Sequence, residues 1–112
     1  MFDWYRPIGV DSCPVCGASL DAWQGKDGPN DLLVWQQGVR EPVERRAGAE
    51  EKHVLELRWD RQPLPESFQI YADDENDHEA IAQCVAVDGV WMETRLKSIS
   101  EFRPGRRVLW PA

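Results

Sequence analysis

Apolar and polar positions alternate with period two in several short runs of the chain, the spacing that lines up every second side chain on one face of a strand. The clearest unit is a hairpin. Residues 80–87 (AIAQCVAV) and 90–97 (VWMETRLK) flank Asp88-Gly89, a dipeptide that tolerates the positive φ angles of a two-residue turn. Strict pairing across that turn sets Val87 opposite Val90, Val85 opposite Met92 and Ile81 opposite Leu96, an apolar face read as core. The other face sets Ala80, Ala82, Cys84 and Ala86 against Lys97, Arg95, Glu93 and Trp91. That face is read as either partly wet or covered by something thin, and Trp91 on it as exposed.

Further strands are expected at 31–37, apolar on both sides and therefore central in a sheet. At 53–59, His53, Leu55, Leu57 and Trp59 share one side, which makes His53 a hydrogen-bonded core residue; at 68–72, Phe68, Ile70 and Ala72 point together. Segments 39–43 and 106–110 read as edge strands, and 44–52 as a turn of helix weakened by Gly48. Eight glycines and eight prolines keep the segments short, without the crossovers of a dozen or more residues that parallel strands need. The expected fold is mainly β: a single small antiparallel sheet or sandwich, or a partly closed meander, with an N-terminal Cys-x-x-Cys knuckle. It fills one domain, residues 1–112.

Charge narrows the partners. Twenty acidic residues against thirteen basic ones give a net charge of -7, which repels nucleic acid and anionic lipid and favours a basic protein partner. The opening MFDWYRPIGV lacks the basic start and apolar run of a secretory signal. No stretch approaches the ~20 apolar residues that span a bilayer. Three cysteines, an odd number, do not make a disulfide framework, so a reducing, cytoplasmic setting is expected.

The strongest local motif is Cys13-Pro14-Val15-Cys16-Gly17. Two thiolates three apart, followed by glycine, suit a zinc knuckle, in which a tight turn aims both sulfurs at one point. A structural zinc needs four ligands, and the remaining candidates are Cys84, His78 and His53. Cys13, Cys16, Cys84 and His78 form an acceptable set; the alternative is a metal-free turn whose cysteines pack as small apolar residues. No cofactor is required by the pattern, and zinc is the one the knuckle suits. A disulfide-exchange reading lacks the surrounding βαβ pattern.

The run 73–79 (DDENDHE) holds five acids and no base. It departs from a calcium loop, with His78 where glycine belongs and no glutamate at the twelfth position. Asp73, Asp74, Glu75, Asp77 and Glu79 instead read as a solvated patch able to dock Lys and Arg of a partner. Six tryptophans are mostly core; Trp91 is the one read as an interface anchor or sugar platform. The basic turn Arg103-Pro104-Gly105-Arg106-Arg107 holds too few cations for nucleic-acid binding. No nucleophile elbow, P-loop or His-Glu-x-x-His motif is present.

The knuckle, followed by Trp23-Gln24-Gly25-Lys26-Asp27-Gly28-Pro29, resembles a set of small uncharacterised bacterial proteins that pair Cys-Pro-x-Cys-Gly with Trp-Gln-x-Lys-Asp entering a strand. The resemblance covers roughly the first third of the chain and implies no activity. Together these readings favour a non-catalytic protein-binding module, concretely an immunity-like inhibitor of a basic partner. The alternative is a zinc-stabilised structural module with Cys13 and Cys16 as ligands. A third reading is a small-molecule or sugar binder that uses exposed tryptophan.

Overall fold

The computed structural model describes residues 1–102 and 105–111; Arg103 and Pro104 of the basic turn lie outside the described residues. Among the described residues nine strands form one mainly antiparallel sheet: β1 (Asp3–Arg6), β2 (Trp23–Gly25), β3 (Leu33–Gln36), β4 (Glu44–Ala47), β5 (His53–Leu55), β6 (Ser67–Asp73), β7 (His78–Val87), β8 (Val90–Glu101) and β9 (Arg107–Trp110). Their spatial order is β5-β4-β3-β1-β2-β6-β7-β8-β9. The β1–β3 pair alone among these neighbours runs parallel. The long segment between β1 and β3, which lays β2 on the far side of β1, supplies the crossover that a parallel pair requires. β1 and β2 carry no period-two pattern, and local sequence announces neither.

Several sequence expectations shift in position. β6 and the edge strand β9 lie where expected, and β3 is buried on both faces through Leu33, Val34 and Trp35. Segment 39–43 is not a strand, whereas 44–52 divides into β4 and a single 3-10 turn, Ala49–Glu51. The strand expected over 53–59 stops at Leu55, and His53 is exposed rather than core. The physical reason is its place at the sheet edge, where among the described residues β5 has β4 as its one strand neighbour.

The main correction concerns the β7–β8 hairpin. Its turn is as expected: Asp88 (φ 51) and Gly89 (φ 80) both adopt positive φ, and Val87 pairs with Val90. Ala86 pairs with Trp91 in the same register, and two bulges then break strict alternation, so that Val85 pairs with Glu93, Ala82 with Leu96 and Ile81 with Ser98. A bulge admits one extra residue and turns the residues beyond it to the opposite face. Leu96 and Ile99, at odd spacings from Trp91, thereby join it on the core side. The row Ala80, Ala82, Cys84 and Ala86 is buried, while Val85, Val87 and Met92 are 37%, 55% and 54% exposed. Trp91, read as exposed, is fully buried, with its indole N–H donating to the Glu93 carbonyl at 3.0 Å.

Small side chains on β7 leave room for large ones from elsewhere. Tyr5, Phe68 and Trp91 meet pairwise at ring-centroid separations of 5.6–5.7 Å. Each aromatic buries roughly 150–250 Å², so the flat alanine row is the floor of the core. The sheet also curls back on itself. Gly38 N donates to Trp91 O at 2.7 Å, and Gln37 bonds both Met92 O and the Thr94 hydroxyl, tying the β3–β4 turn to the start of β8.

Near β1 the sequence conceals a buried carboxylate. Asp3 is fully buried and accepts hydrogen bonds from the amides of Asn30, Asp31 and Leu33 and from the Trp35 indole, at 2.9–3.1 Å. Four donors replace the water that these carboxyl oxygens lose on burial. The adjoining segment 23–29 admits no larger side chain at Gly28, where a Cβ would lie 2.8 Å from the Tyr5 hydroxyl and 3.0 Å from Asp3.

Candidate metal centre

After β1 the chain runs without a named strand until β2, and its middle folds into the knuckle. Ser12 and Ser19 form an isolated bridge, Cys13 N donates to Ala18 O, and Gly17 N donates to Cys13 O, the latter two at 2.8 Å. Gly17 takes φ 77, which glycine adopts without steric cost. This turn directs the Val15 and Cys16 amides at the Cys13 sulfur. Cys13 is buried with Val10 and Leu20 in the main core, while Cys16 is exposed.

The second half of the site is the β6–β7 turn. Asp74 N donates to His78 O at 3.0 Å, and Asp77 takes φ 60 to close the reversal. Asp74 Oδ1 accepts from the amides of Asn76 and His78 at 2.8 and 3.0 Å. That fixes the carboxylate with Oδ2 directed at the knuckle, 3.2 Å from Cys16 Sγ and 2.9 Å from His78 Nδ1. His78 Nδ1 lies 3.7 Å from Cys13 Sγ and 3.5 Å from Cys16 Sγ. All four donor atoms fall within 4.8 Å of one another.

These separations suit a tetrahedral zinc ion. With Zn–S near 2.3 Å and Zn–N near 2.05 Å, sulfur and nitrogen sit about 3.6 Å apart across the metal, between the two observed sulfur–nitrogen distances. The Asp74–His78 contact is at hydrogen-bond length and opens by about 0.4 Å to straddle a metal. Two thiolates, an imidazole and one carboxylate match zinc better than magnesium or calcium, which take oxygen ligands.

Burial pushes the Cys13 thiol upward, against the pull of the two amides aimed at it. Burial also acts to raise Asp74, but the His78 and Asn76 amides and the two thiols outweigh it and hold the carboxyl at about 2. The carboxylate is therefore ionised at neutral pH, ready to face a cation. Asn76 Nδ2 donates to Cys16 Sγ at 3.3 Å, adding a donor to the exposed sulfur.

The structure thus unites Cys13, Cys16 and His78 of the sequence-derived ligand set and replaces Cys84 with Asp74. Cys84 is fully buried on the core face of β7, its sulfur 4.0 Å from the Thr94 hydroxyl, and burial raises its thiol to about 12. Asp74 is hidden among five similar acids; its spacing of four from His78 across a turn is the signal that separates it. Of the remaining acids, Glu79 pairs with Arg106 at 2.7 Å, while Asp73, Glu75 and Asp77 are exposed. Ser19, Asp21, Glu50, Asp73, Asp74 and Glu75 line a depression of about 340 Å³ beside the knuckle. Desolvation there and the carboxylates of Asp74 and Asp77 push Asp73 upward. With Trp91 buried, it offers neither an interface anchor nor a sugar platform; Trp59, half-buried and packed edge-on to Trp35, lines a separate cavity.

Among the described residues no helix is long and apolar enough to cross a membrane. Compared with family models, curated proteins and solved structures, the chain matches none.

Proposed function

We propose that the protein is a non-catalytic β module stabilised by one structural zinc ion held by Cys13, Cys16, Asp74 and His78. The observation that carries this is convergence: donors on two segments separated by 58 to 65 residues meet at one point. Four protein ligands complete a tetrahedral sphere and leave no open position for water or substrate, the arrangement of structural rather than catalytic sites. The ion would clasp the knuckle loop to the β6–β7 turn. Native mass spectrometry after incubation with zinc is expected to show one zinc per chain, and chelator to lower the melting temperature. A zinc-free mass under those conditions rejects the reading.

The acidic depression supports a second reading, a docking surface for a basic protein partner. Asp21, Asp73, Glu75 and Asp77 form no ion pair among the described residues, so their charge is free to steer an approaching cationic surface. Replacing Asp73 and Glu75 by lysine, with Asp74 and the turn residue Asp77 untouched, is expected to slow association with a basic partner at unchanged melting temperature. Association kinetics identical to wild type would reject it.

A further inference from the structure

Building on the zinc reading, we propose that Cys13 and Cys16 are also an oxidation site, at which a hydroperoxide converts the thiolate pair into a disulfide and expels the metal. The two sulfurs differ in access, and that difference sets the order of events. Cys13 is buried in the core and Cys16 is exposed, so a peroxide meets Cys16 first. Asn76 Nδ2, 3.3 Å from the Cys16 sulfur, supports negative charge on it while leaving it open to solvent. Cys13 Sγ lies within 4.8 Å of Cys16 Sγ on the same tight turn. Closing a bond of about 2.05 Å then requires side-chain rotation within the knuckle, not movement of the sheet.

The chemistry balances with the peroxide as the named oxidant. The Cys16 thiolate attacks one peroxide oxygen, the O–O bond breaks, Cys16 becomes a sulfenic acid, and the departing alkoxide or hydroxide takes a proton from solvent. The Cys13 thiolate then attacks the Cys16 sulfur, the S–S bond forms, and hydroxide leaves with a second solvent proton as water. The cysteines lose two electrons and the peroxide gains two. Thiolate, not disulfide, is the metal ligand, so Asp74 and His78 remain as two donors of an original four and the zinc dissociates. Cys84 takes no part, being buried on the core face of β7 away from the cluster.

The test is native mass spectrometry of the zinc-loaded full chain before and after hydrogen peroxide, with peptide mapping. The expected result is loss of one zinc to leave a chain two hydrogens lighter than the reduced metal-free protein, a bond mapped between Cys13 and Cys16, and full reversal by dithiothreitol plus zinc. Cys84→Ala is expected to respond as wild type does. In Cys13→Ser, dimedone is expected to trap a sulfenic acid on Cys16; in Cys16→Ser, Cys13 is expected to stay unlabelled. Zinc retained under peroxide, or oxidation without the Cys13–Cys16 bond, overturns the oxidation site alone. A chain that carries no zinc before peroxide overturns the metal reading and this inference with it.

Discussion

At its C-terminal end β7 lays Cys84 and Ala86 in the core occupied by Tyr5, Phe68 and Trp91, whereas at its N-terminal end the same strand delivers His78 to a cluster of polar donors. The first region is held by apolar burial, which is non-directional and sensitive to volume. The second is held by a few directional contacts among groups that compete with protons and water. The knuckle draws on both, since Val10, Cys13 and Leu20 anchor it in the core while Cys16 faces solvent. Loss of the core therefore disables the site, whereas loss of the site leaves most of the sheet intact.

The largest expected effect comes from that asymmetry. Trp91→Ala removes a fully buried indole whose neighbours on β7 are too small to collapse into the space, and is expected to cost about 3–5 kcal/mol. Urea denaturation is the check, and zinc retention should fall with the folded fraction. A loss under ~1 kcal/mol would place Trp91 outside the core after all.

Removing the metal comes next. With free zinc about 100 times its dissociation constant, the ion contributes about 2.7 kcal/mol to folding, so chelator should lower the melting temperature by the corresponding amount. Hydrogen exchange locates the change: the Cys13, Gly17 and Leu20 amides, bonded within the loop, should lose protection while those pairing β6 with β7 keep theirs. His78→Ala should abolish the chelator effect. A chelator effect that persists in that variant points to a different ligand set.

How far the sequence reaches differs between the same two regions. Alternation along 80–87, with Asp88-Gly89, is enough to find the hairpin, but not which face is inside. Counting apolar bulk favours Val85, Val87 and Met92 over an alanine row. The outcome depends instead on aromatics from β1, β6 and β8 that need a flat floor, while two bulges that local pattern does not announce keep Leu96 and Ile99 on the Trp91 side. The odd spacing of Trp91, Leu96 and Ile99 is the one trace they leave. At the metal centre, Cys13, Cys16 and His78 are legible because their chemistry is scarce in the chain. Asp74 is harder to find: it is one of five acids in its run, marked only by its spacing of four from His78, and it is the amides of Asn76 and His78 that fix it in place.

A smaller effect separates the two kinds of cysteine. Burial raises the Cys84 thiol from 9.0 to about 12, so the folded state keeps that proton where the unfolded chain releases it. The stabilising contribution is whole below pH ~9 and declines as pH rises from there towards ~12. Cys84→Ala should flatten this alkaline decline, measured as melting temperature against pH in chelated protein. In the same protein at pH ~8, a thiol reagent should modify Cys16 rapidly and leave Cys84 unmodified until the chain unfolds. Rapid native labelling of Cys84 would contradict its burial.

The smallest effect is the sharpest check on which face of the hairpin is inside. Met92 projects from the bulge between Trp91 and Glu93 and is 54% exposed. If the row of Val85, Val87 and Met92 were the inner face, Met92→Gln would bury an amide in the core without partners, at a cost of about 2 kcal/mol or more. With the Trp91 face inside, the glutamine amide reaches water, and the change should stay within about 0.5 kcal/mol. Val87→Thr, at 55% exposure on the same outward row, should behave alike. Because Trp91 and Met92 are adjacent, a large loss at the first and almost none at the second can arise only if they face opposite sides of the sheet.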